Sequence, residues 1–590
     1  METKSIEDIE MGLKNSKEIN EIRNGNNNAM NNSNDLRESK YKNLPKPLYN
    51  TYEYYFYYAY LLGSVIYMFY SVIDLSNETH PNYDSYKDRL SDGWMFGRKE
   101  DLSDGQFNSF RSRYKLIVLL MLLHVLLSQL ISNSINLKKK GYGIRNLFLN
   151  SKIMFSGIFS MVLLFALHGY SMMKLFIFIS LNYILGKLSK RNVLNPIFTW
   201  VFNIAALLFC NYFSKQVKFE HFFMGLKFMD EFNGLLPRWD IHYNITALRM
   251  ISFNMDYYWS KPNSINEEEV QEEEEEKLNE KKYLTTSKQR TQYELNANSY
   301  NFVNYFTYLF YPPLYLAGPI ITFNDFIYQT KFKNPNLTVK TIGKYLIRLI
   351  LVILLMEFML HYIYVQALCK SKNFENYTPY QLLMISFFSL KFIWLKLLII
   401  WRFFRLWAMM DGIDTVENMG RCMTNNYSIQ GFWKGWHCSY NRWLVRYLYV
   451  PLGGAKYSFL NIWVIFTFVA LWHDTELDLL AWGWLIALFF LPEMIAVKAS
   501  KKWKHKSYYR YLRAIGGTLN VLMLMTANLV GFAIQRDGFY LLLGQLVNFQ
   551  GLFDLFLFLS FLYVDVQCMI EIRNQEFRNE AELKLNNKQI

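Results

Sequence analysis

Apolar positions in this chain neither alternate nor trace single helical stripes. They come in unbroken runs of about 18–25 residues, the length that crosses the hydrocarbon core of a bilayer. Such runs lie near 52–73, 115–135, 153–169, 170–187, 194–213, 302–317, 343–366, 381–410, 459–473, 478–495, 514–534 and 547–566. The pattern predicts an all-α, polytopic membrane protein of about 11–12 spans. The run 381–410 is long enough for one tilted span or two shorter pieces.

Two segments fit neither a span nor a loop. They are 236–260 ("LPRWDIHYNITALRMISFNMDYYWS") and 412–458. Both mix aromatics, charges and turn residues at membrane depth. Polar or irregular backbone is tolerated there only when buried in protein or lining a cavity. The two segments therefore predict a protein-lined cavity inside the membrane, with reentrant pieces shaping it.

Composition sharpens the boundaries. Residues 1–45 are charged and Asn-rich and read as a disordered tail. Residues 46–570 form the membrane domain, and 571–590 read as a polar C-terminal tail. Within the domain, 261–292 carries "NEEEVQEEEEEKLNEKK", either a solvated linker or a partner-binding loop. The first 40 or so residues hold no apolar core, so the first span is expected to act as the insertion signal. That points to the endomembrane system.

Net charge is +14. In a membrane protein this reads as cytosolic loops facing anionic lipid, not as nucleic-acid binding. "LKKKGYGIR" at 137–145 and "KASKKWKHK" at 498–506 are placed in the cytosol. Loop 75–113 then lies on the other side, with Asn77-Glu78-Thr79 as a glycosylation acceptor. The five cysteines are scattered without a CxxC pair, so neither a disulfide framework nor a zinc site is expected.

Nine histidines are the candidate chemistry. His80 and His505 sit in polar loops. His124, His168 and His361 are lone polar residues on apolar spans, expected to hydrogen-bond a neighbouring helix. His221 and His242 flank the first irregular segment and are read as structural. His473 differs, because the run "NIWVIFTFVALWHD" delivers it to membrane depth. An ionisable group there is a functional candidate by default, and imidazole suits proton transfer near neutrality. On a helix, Phe466, Val469 and Ala470 share its face.

His437 sits in "GFWKGWHCSYNRWLVRYLYVPLGG", residues 431–454. Ser428 is the expected N-cap and Pro451 the stop. One helix between them would stack Trp433, His437 and Asn441 at four-residue spacing. Gly431 and Gly435 would let another helix approach closely. Arg442 and Arg446 would lie on the next stripe and could meet phosphate. An interfacial helix anchored by Trp, Tyr and Arg is the alternative. "HDTELD" also matches His-x4-Asp (His473 to Asp478), a pattern of peripheral glycerolipid acyltransferases, but the surroundings differ wholly.

The stretch "GFWKGWHCSYNRWLVRYLYVPLGG", followed by "VALWHD", resembles the two active-site motifs of the membrane-bound O-acyltransferase family. "WDIHYNITALRMISFNMDYYW", "YPPLYLAGPIITFNDF", "IIWRFFRLWAMMDGIDTVENMGRCM", "ALWHDTELDLLAWGWLIALFFLPE" and "SDGWMFGRKEDLSDGQFNSFR" resemble its fungal glycerol-uptake branch, related to Hedgehog acyltransferase. The likeness covers roughly 45–570 and leaves out the Asn-rich tail and the acidic run.

This resemblance implies a ring of tilted helices around a tunnel. It implies an acyl-CoA donor from the cytosol and a hydroxyl acceptor from the lumen or the bilayer. The family's catalytic histidine falls on His473. Its first motif carries His, Asn or Asp, and here His437. Asn441 and His437 are the candidate oxyanion donors, with Trp433 beside them. Lys434, Arg442 and Arg446 are the candidates for the CoA phosphates. No cofactor or metal is required, although a cysteine linked to haem in the Hedgehog acyltransferase branch falls on Cys422. The branch implies acyl transfer to a lyso-glycosylphosphatidylinositol (lyso-GPI) or lysophospholipid acceptor during anchor remodelling. The implied place is the endoplasmic reticulum membrane, with the plasma membrane as a second location. The branch's name keeps a proton-coupled glycerol or polyol transporter as the alternative.

Overall fold

The computed structural model describes residues 46–136, 143–189, 191–213, 217–260 and 283–586. The Asn-rich tail, the heart of the basic cluster at 137–142 and the acidic run itself lie outside the described residues. Nine described helical stretches are long and apolar enough to cross a membrane, or ten when a pair bent by 47° counts as one span. Long apolar side chains cover their outer faces, among them Leu116, Leu119, Leu123, Ile347, Leu351 and Leu354. These are faces meant for lipid.

The early helices are α1 (Tyr52–Asp74), α2 (Gly105–Asn136), α3 (Gly143–His168), α4 (Met172–Ser189) and α5 (Leu194–Phe213), with α3 and α4 together counted as one of the nine stretches. Between α1 and α2 a two-stranded hairpin pairs β1 (Leu90–Asp92) with β2 (Lys99–Asp101). Helices α3 and α4 meet at a turn whose Gly169 has φ +55°; a Cβ there would lie 2.1 Å from the Phe232 carbonyl oxygen. The chain doubles back at this turn. The hydroxyls of Thr307 and Tyr305, two residues apart, donate to Ile153 on α3 and Ile179 on α4, so those two positions sit at like depth.

Residues 239–259 are not irregular. They form a continuous helix, α6 (Trp239–Trp259), with 14 buried residues. It runs beside α4: Lys174 lies over the Trp239 ring, Asn254 bonds Asn182, and Arg191 reaches Ser260 at the far end. Hydropathy misses α6 because its polar side chains face protein instead of lipid. The run 302–317 is not one span either. It splits into α7 (Phe302–Phe310) and α8 (Pro312–Leu316). Pro312 has no N–H for the Tyr308 carbonyl four residues back. The buried Arg249 of α6 donates to the Leu309 oxygen at 2.6 Å and the Tyr308 oxygen at 3.4 Å.

Then come α9 (Phe323–Lys331), the bent pair α10 (Val339–Tyr362) and α11 (Val365–Ser371), and the long α12 (Pro379–Met410). Residues 283–292, the end of the stretch read as an insert, belong to the fold. Arg290 there is 1% exposed and pairs with Asp325 of α9 at 2.6 Å. Two short helices, α13 (Ile429–Gly435) and α14 (Cys438–Leu444), follow a loop. A π-helical turn, Val445–Tyr449, ends the segment. The last elements are α15 (Ser458–His473), α16 (Leu477–Ser500), α17 (Tyr509–Asn528), α18 (Gln535–Leu546) and α19 (Phe549–Asn586). Residues 571–586, expected as a polar tail, instead continue α19, with Glu571 and Arg578 buried together at 2.5 Å.

The interior forms two large apolar clusters, one around α4 to α9 and α15, the other around α10 to α12. Leu120, Leu316, Met423 and Trp436 pack against both. Trp436 precedes His437, so this histidine stands on the seam between the two cores.

Candidate active site

The local conformation of 428–444 departs from the single helix expected. Ser428 does cap, its hydroxyl accepting the Gly431 N–H at 3.0 Å. The helix then stops at Gly435, and His437 takes a left-handed conformation with φ +46°. Trp433, His437 and Asn441 therefore do not form one stripe. An antiparallel stretch of chain holds the turn. Gly420 N–H donates to Gly435, and Cys438 N–H to the Asn418 carbonyl. Ser439 N–H donates to the Asn418 side chain at 3.1 Å. Gly435 thus serves contact with this loop, not with a second helix.

The turn aims the His437 ring onto the Trp401 indole of α12, with centroids 4.4 Å apart and planes 24° apart. Tyr440 lies at 5.3 Å and Trp472 at 6.3 Å. Trp472 also packs on Tyr440 at 4.5 Å and is followed directly by His473. The two histidines therefore flank one indole. His473 ends α15. Phe466, Val469, Ala470 and Trp472 are buried, yet His473 itself is exposed. Among the described residues neither ring is hydrogen-bonded.

The other histidines behave as polar residues in a helix bundle should. His124 accepts from Trp407 Nε1 at 3.1 Å, and His361 from the Trp94 N–H at 3.2 Å. His168 bonds the Leu236 carbonyl and the Tyr315 hydroxyl, both at 2.8 Å. His242 departs from this, its Nδ1 buried without a partner among the described residues; what sets His437 and His473 apart is that they share one indole.

Further site residues scatter. Asn441 is half-buried on the first turn of α14, and its N–H donates to the His437 carbonyl. Trp433 packs edge-on against Phe466 and Trp482, and its indole N–H is buried without a partner among the described residues. Arg442 is exposed and Lys434 half-buried. Arg446, a candidate for phosphate, is already engaged. It pairs at 2.9 Å with the buried Asp256, which also accepts from Tyr447 at 3.0 Å, and it lies over the Trp259 ring. A fully buried carboxylate needs that cation.

Cys422, the position that the resemblance links to haem, has its sulfur 3.6 Å from the Lys391 ammonium and 3.3 Å from the Thr424 hydroxyl. One group with metal-ligand spacing exists elsewhere, Glu100, Glu357 and His361, whose ligand atoms lie within 4.8 Å of one another. Arg111 fills it, donating four hydrogen bonds of 2.8–3.2 Å to the two carboxylates. Sequence reading missed Trp401, Tyr440, Trp472 and Asn244. Trp401 lies a whole element away from His437, where no local spacing could reveal it.

A helical bundle of membrane spans, with one histidine on its internal seam and a second across one indole from it, defines a membrane-embedded class before any comparison is made. The comparisons agree. The model of the "membrane-bound O-acyltransferase family" matches residues 240–534. The chain is 42% identical over 543 residues to membrane-bound O-acyltransferase GUP1 of Candida tropicalis, covering 90% of this chain and 89% of that protein. It is 40% identical over 545 residues to GUP1 of Saccharomyces cerevisiae, covering 91% and 94%. A more distant match, 30% identical over 185 residues, is to the protein-cysteine N-palmitoyltransferase HHAT of Mus musculus, 30% of this chain and 37% of that one. The chain belongs to the membrane-bound O-acyltransferase family, and it is an acyltransferase.

Proposed function

We propose that the chain transfers a long acyl group from acyl-CoA to a lipid hydroxyl, with His473 as general base. The observation that carries this reading is the pair of open imidazoles held on either side of Trp472. One ring nitrogen of His473 takes the proton of the acceptor hydroxyl as its oxygen attacks the thioester carbonyl. The C–O bond forms, the C–S bond breaks, and the proton passes to the departing CoA sulfur. General-base help of this kind contributes typically about 10²–10⁴-fold. His437 and Asn441 supply donors for the developing oxyanion, in a site that aromatic rings shield from water. With Arg446 committed to Asp256, the exposed Arg442 is the cation placed to meet the CoA phosphates, with Lys434 as the second candidate. Haem has no part in this scheme.

The acceptor is a lyso-GPI or related lysophospholipid in the endoplasmic reticulum membrane. Two points support this reading. The chain resembles the fungal branch in which that role is implied, and its site lies among membrane spans, where a lipid can enter sideways. The test uses purified protein in detergent with radiolabelled long-chain acyl-CoA and lyso-phosphatidylinositol or lyso-GPI. Wild type is expected to transfer label, and His473→Ala to lose about 10²-fold or more. Normal transfer by His473→Ala would remove the assignment. Substrate flux into liposomes without acyl-CoA, with no transfer, would turn the reading to a polyol transporter.

A further inference from the structure

Helix α15 carries His473 on its last residue. That is a poor place for a precisely aimed group. The last four carbonyls of a helix have no partner within it, and the final turn frays unless something else binds them. Here Asp474 N–H donates to the Ala470 carbonyl. The next two carbonyls are taken by side chains from other spans. Asn211 of α5 reaches the Leu471 oxygen at 3.5 Å, and Asn244 of α6 reaches the Trp472 oxygen at 2.8 Å. Asn244 bonds the same residue twice, because its own carbonyl accepts the Trp472 indole N–H at 2.8 Å. This reciprocal pair fixes both the backbone leading into His473 and the indole that separates it from His437.

We propose that Asn244 is a positioning residue for acyl transfer: it clamps Trp472, and through it holds the His473 ring in its working direction. The inference rests on the reading of His473 as base. It also gives a purpose to "WDIHYNITALRMISFNMDYYW", whose helix touches the site through Asn244. Helix α6 is a rigid carrier for such a clamp. Its face is anchored to α7 through Arg249 and to the π-helical turn through Asp256. Misplacing a catalytic group by about 1 Å can cost about 10²-fold.

The experiment compares full-length wild type, Asn244→Asp, Asn211→Ala, Trp472→Phe and His473→Ala in detergent, with acyl-CoA and a lysophospholipid. Asn244→Asp keeps the shape but replaces the donor with an acceptor. Trp472→Phe keeps a ring but removes the indole N–H. Both are expected to lower kcat about 10–100-fold. KM for acyl-CoA should stay within about twofold and the thermal midpoint close to wild type, since the donor's own contacts are untouched. Asn211→Ala, with its longer bond, should lose less. Wild-type kcat in Asn244→Asp beside an inactive His473→Ala would overturn the clamp and leave the base. Activity in His473→Ala would overturn the base and the clamp with it. Loss of folded protein in both Asn244→Asp and Trp472→Phe would make the contact structural, against the proposal.

Discussion

At the scale of the residue, His437 shows a constraint that pattern reading could not see. The N-cap at Ser428 was legible, because a hydroxyl before an aromatic helical run is a local signal. The left-handed turn at φ +46° was not, because nothing in "GWHCS" marks it. The reason is tertiary: Asn418 and Gly420 bind the residues on either side and override the helix. Non-glycine residues at positive φ are mostly Asn, Asp and His. Those are the three types that the family resemblance implies at this position, and all three tolerate the turn. His437→Asn should therefore fold with a thermal midpoint near wild type. His437→Val should lower the midpoint, because the native histidine already bears the left-handed cost of a Cβ and a β-branched residue adds to it. Differential scanning fluorimetry of the two proteins in detergent decides this. Equal midpoints would mean the turn is not strained.

At the scale of the element, spans were legible and polar interior helices were not. Hydropathy reads a helix by the solvent it faces, and α6 faces neither lipid nor water. Its Arg249, Asn254 and Asp256 are buried against protein, so the composition that suggested a loop belongs to a core helix. The hairpin β1–β2 is similar. It looked like a polar loop, yet it braces the bend between α10 and α11. Asp101 accepts the N–H groups of Gln366 and Ala367 at 3.0 and 2.8 Å, opening α11 with a carboxylate. Gly93 leaves room for His361: a Cβ there would come within 2.6 Å of the imidazole. Arg111 joins the parts, with Glu100 and Glu357 at 2.9 and 2.8 Å. Removing one partner of a buried ion network leaves charge uncompensated, at about 3–5 kcal/mol. Arg111→Ala is thus expected to lower the thermal midpoint strongly, and Arg111→Lys to recover part of it. A chelator such as EDTA should leave the wild-type midpoint unchanged, since a guanidinium holds the carboxylates. A chelator-sensitive midpoint would point to a metal in this cluster instead.

At the scale of the molecule, the segment near residue 48 and the C-terminal part of α19 come together beside loop 418–428. The C-terminal part of α19, itself the last candidate span, grips loop 418–428. Arg421 forms a two-bonded pair with Glu576, both at 2.8 Å, and Arg573 reaches the Asn425 carbonyl and side chain. The chain near residue 48 joins the same helix through Leu48 N–H and Glu571. Loop 418–420 in turn binds 435–439, the turn that holds His437. A continuous set of contacts therefore runs from Glu576 to His437 through Arg421, Gly420 and Gly435. An exposed ion pair alone is worth only about 0–1 kcal/mol. Its effect here should show in geometry, not in global stability. Glu576→Arg, which sets like charges on Arg421 and Arg573, should reduce transfer several-fold with little change in midpoint. The exchange Arg421→Glu with Glu576→Arg should restore much of it, and a double-mutant cycle on kcat/KM measures the coupling. Additive losses in that cycle would mean the helix merely packs beside the loop, and that His437 is held by the Asn418 and Gly420 contacts alone.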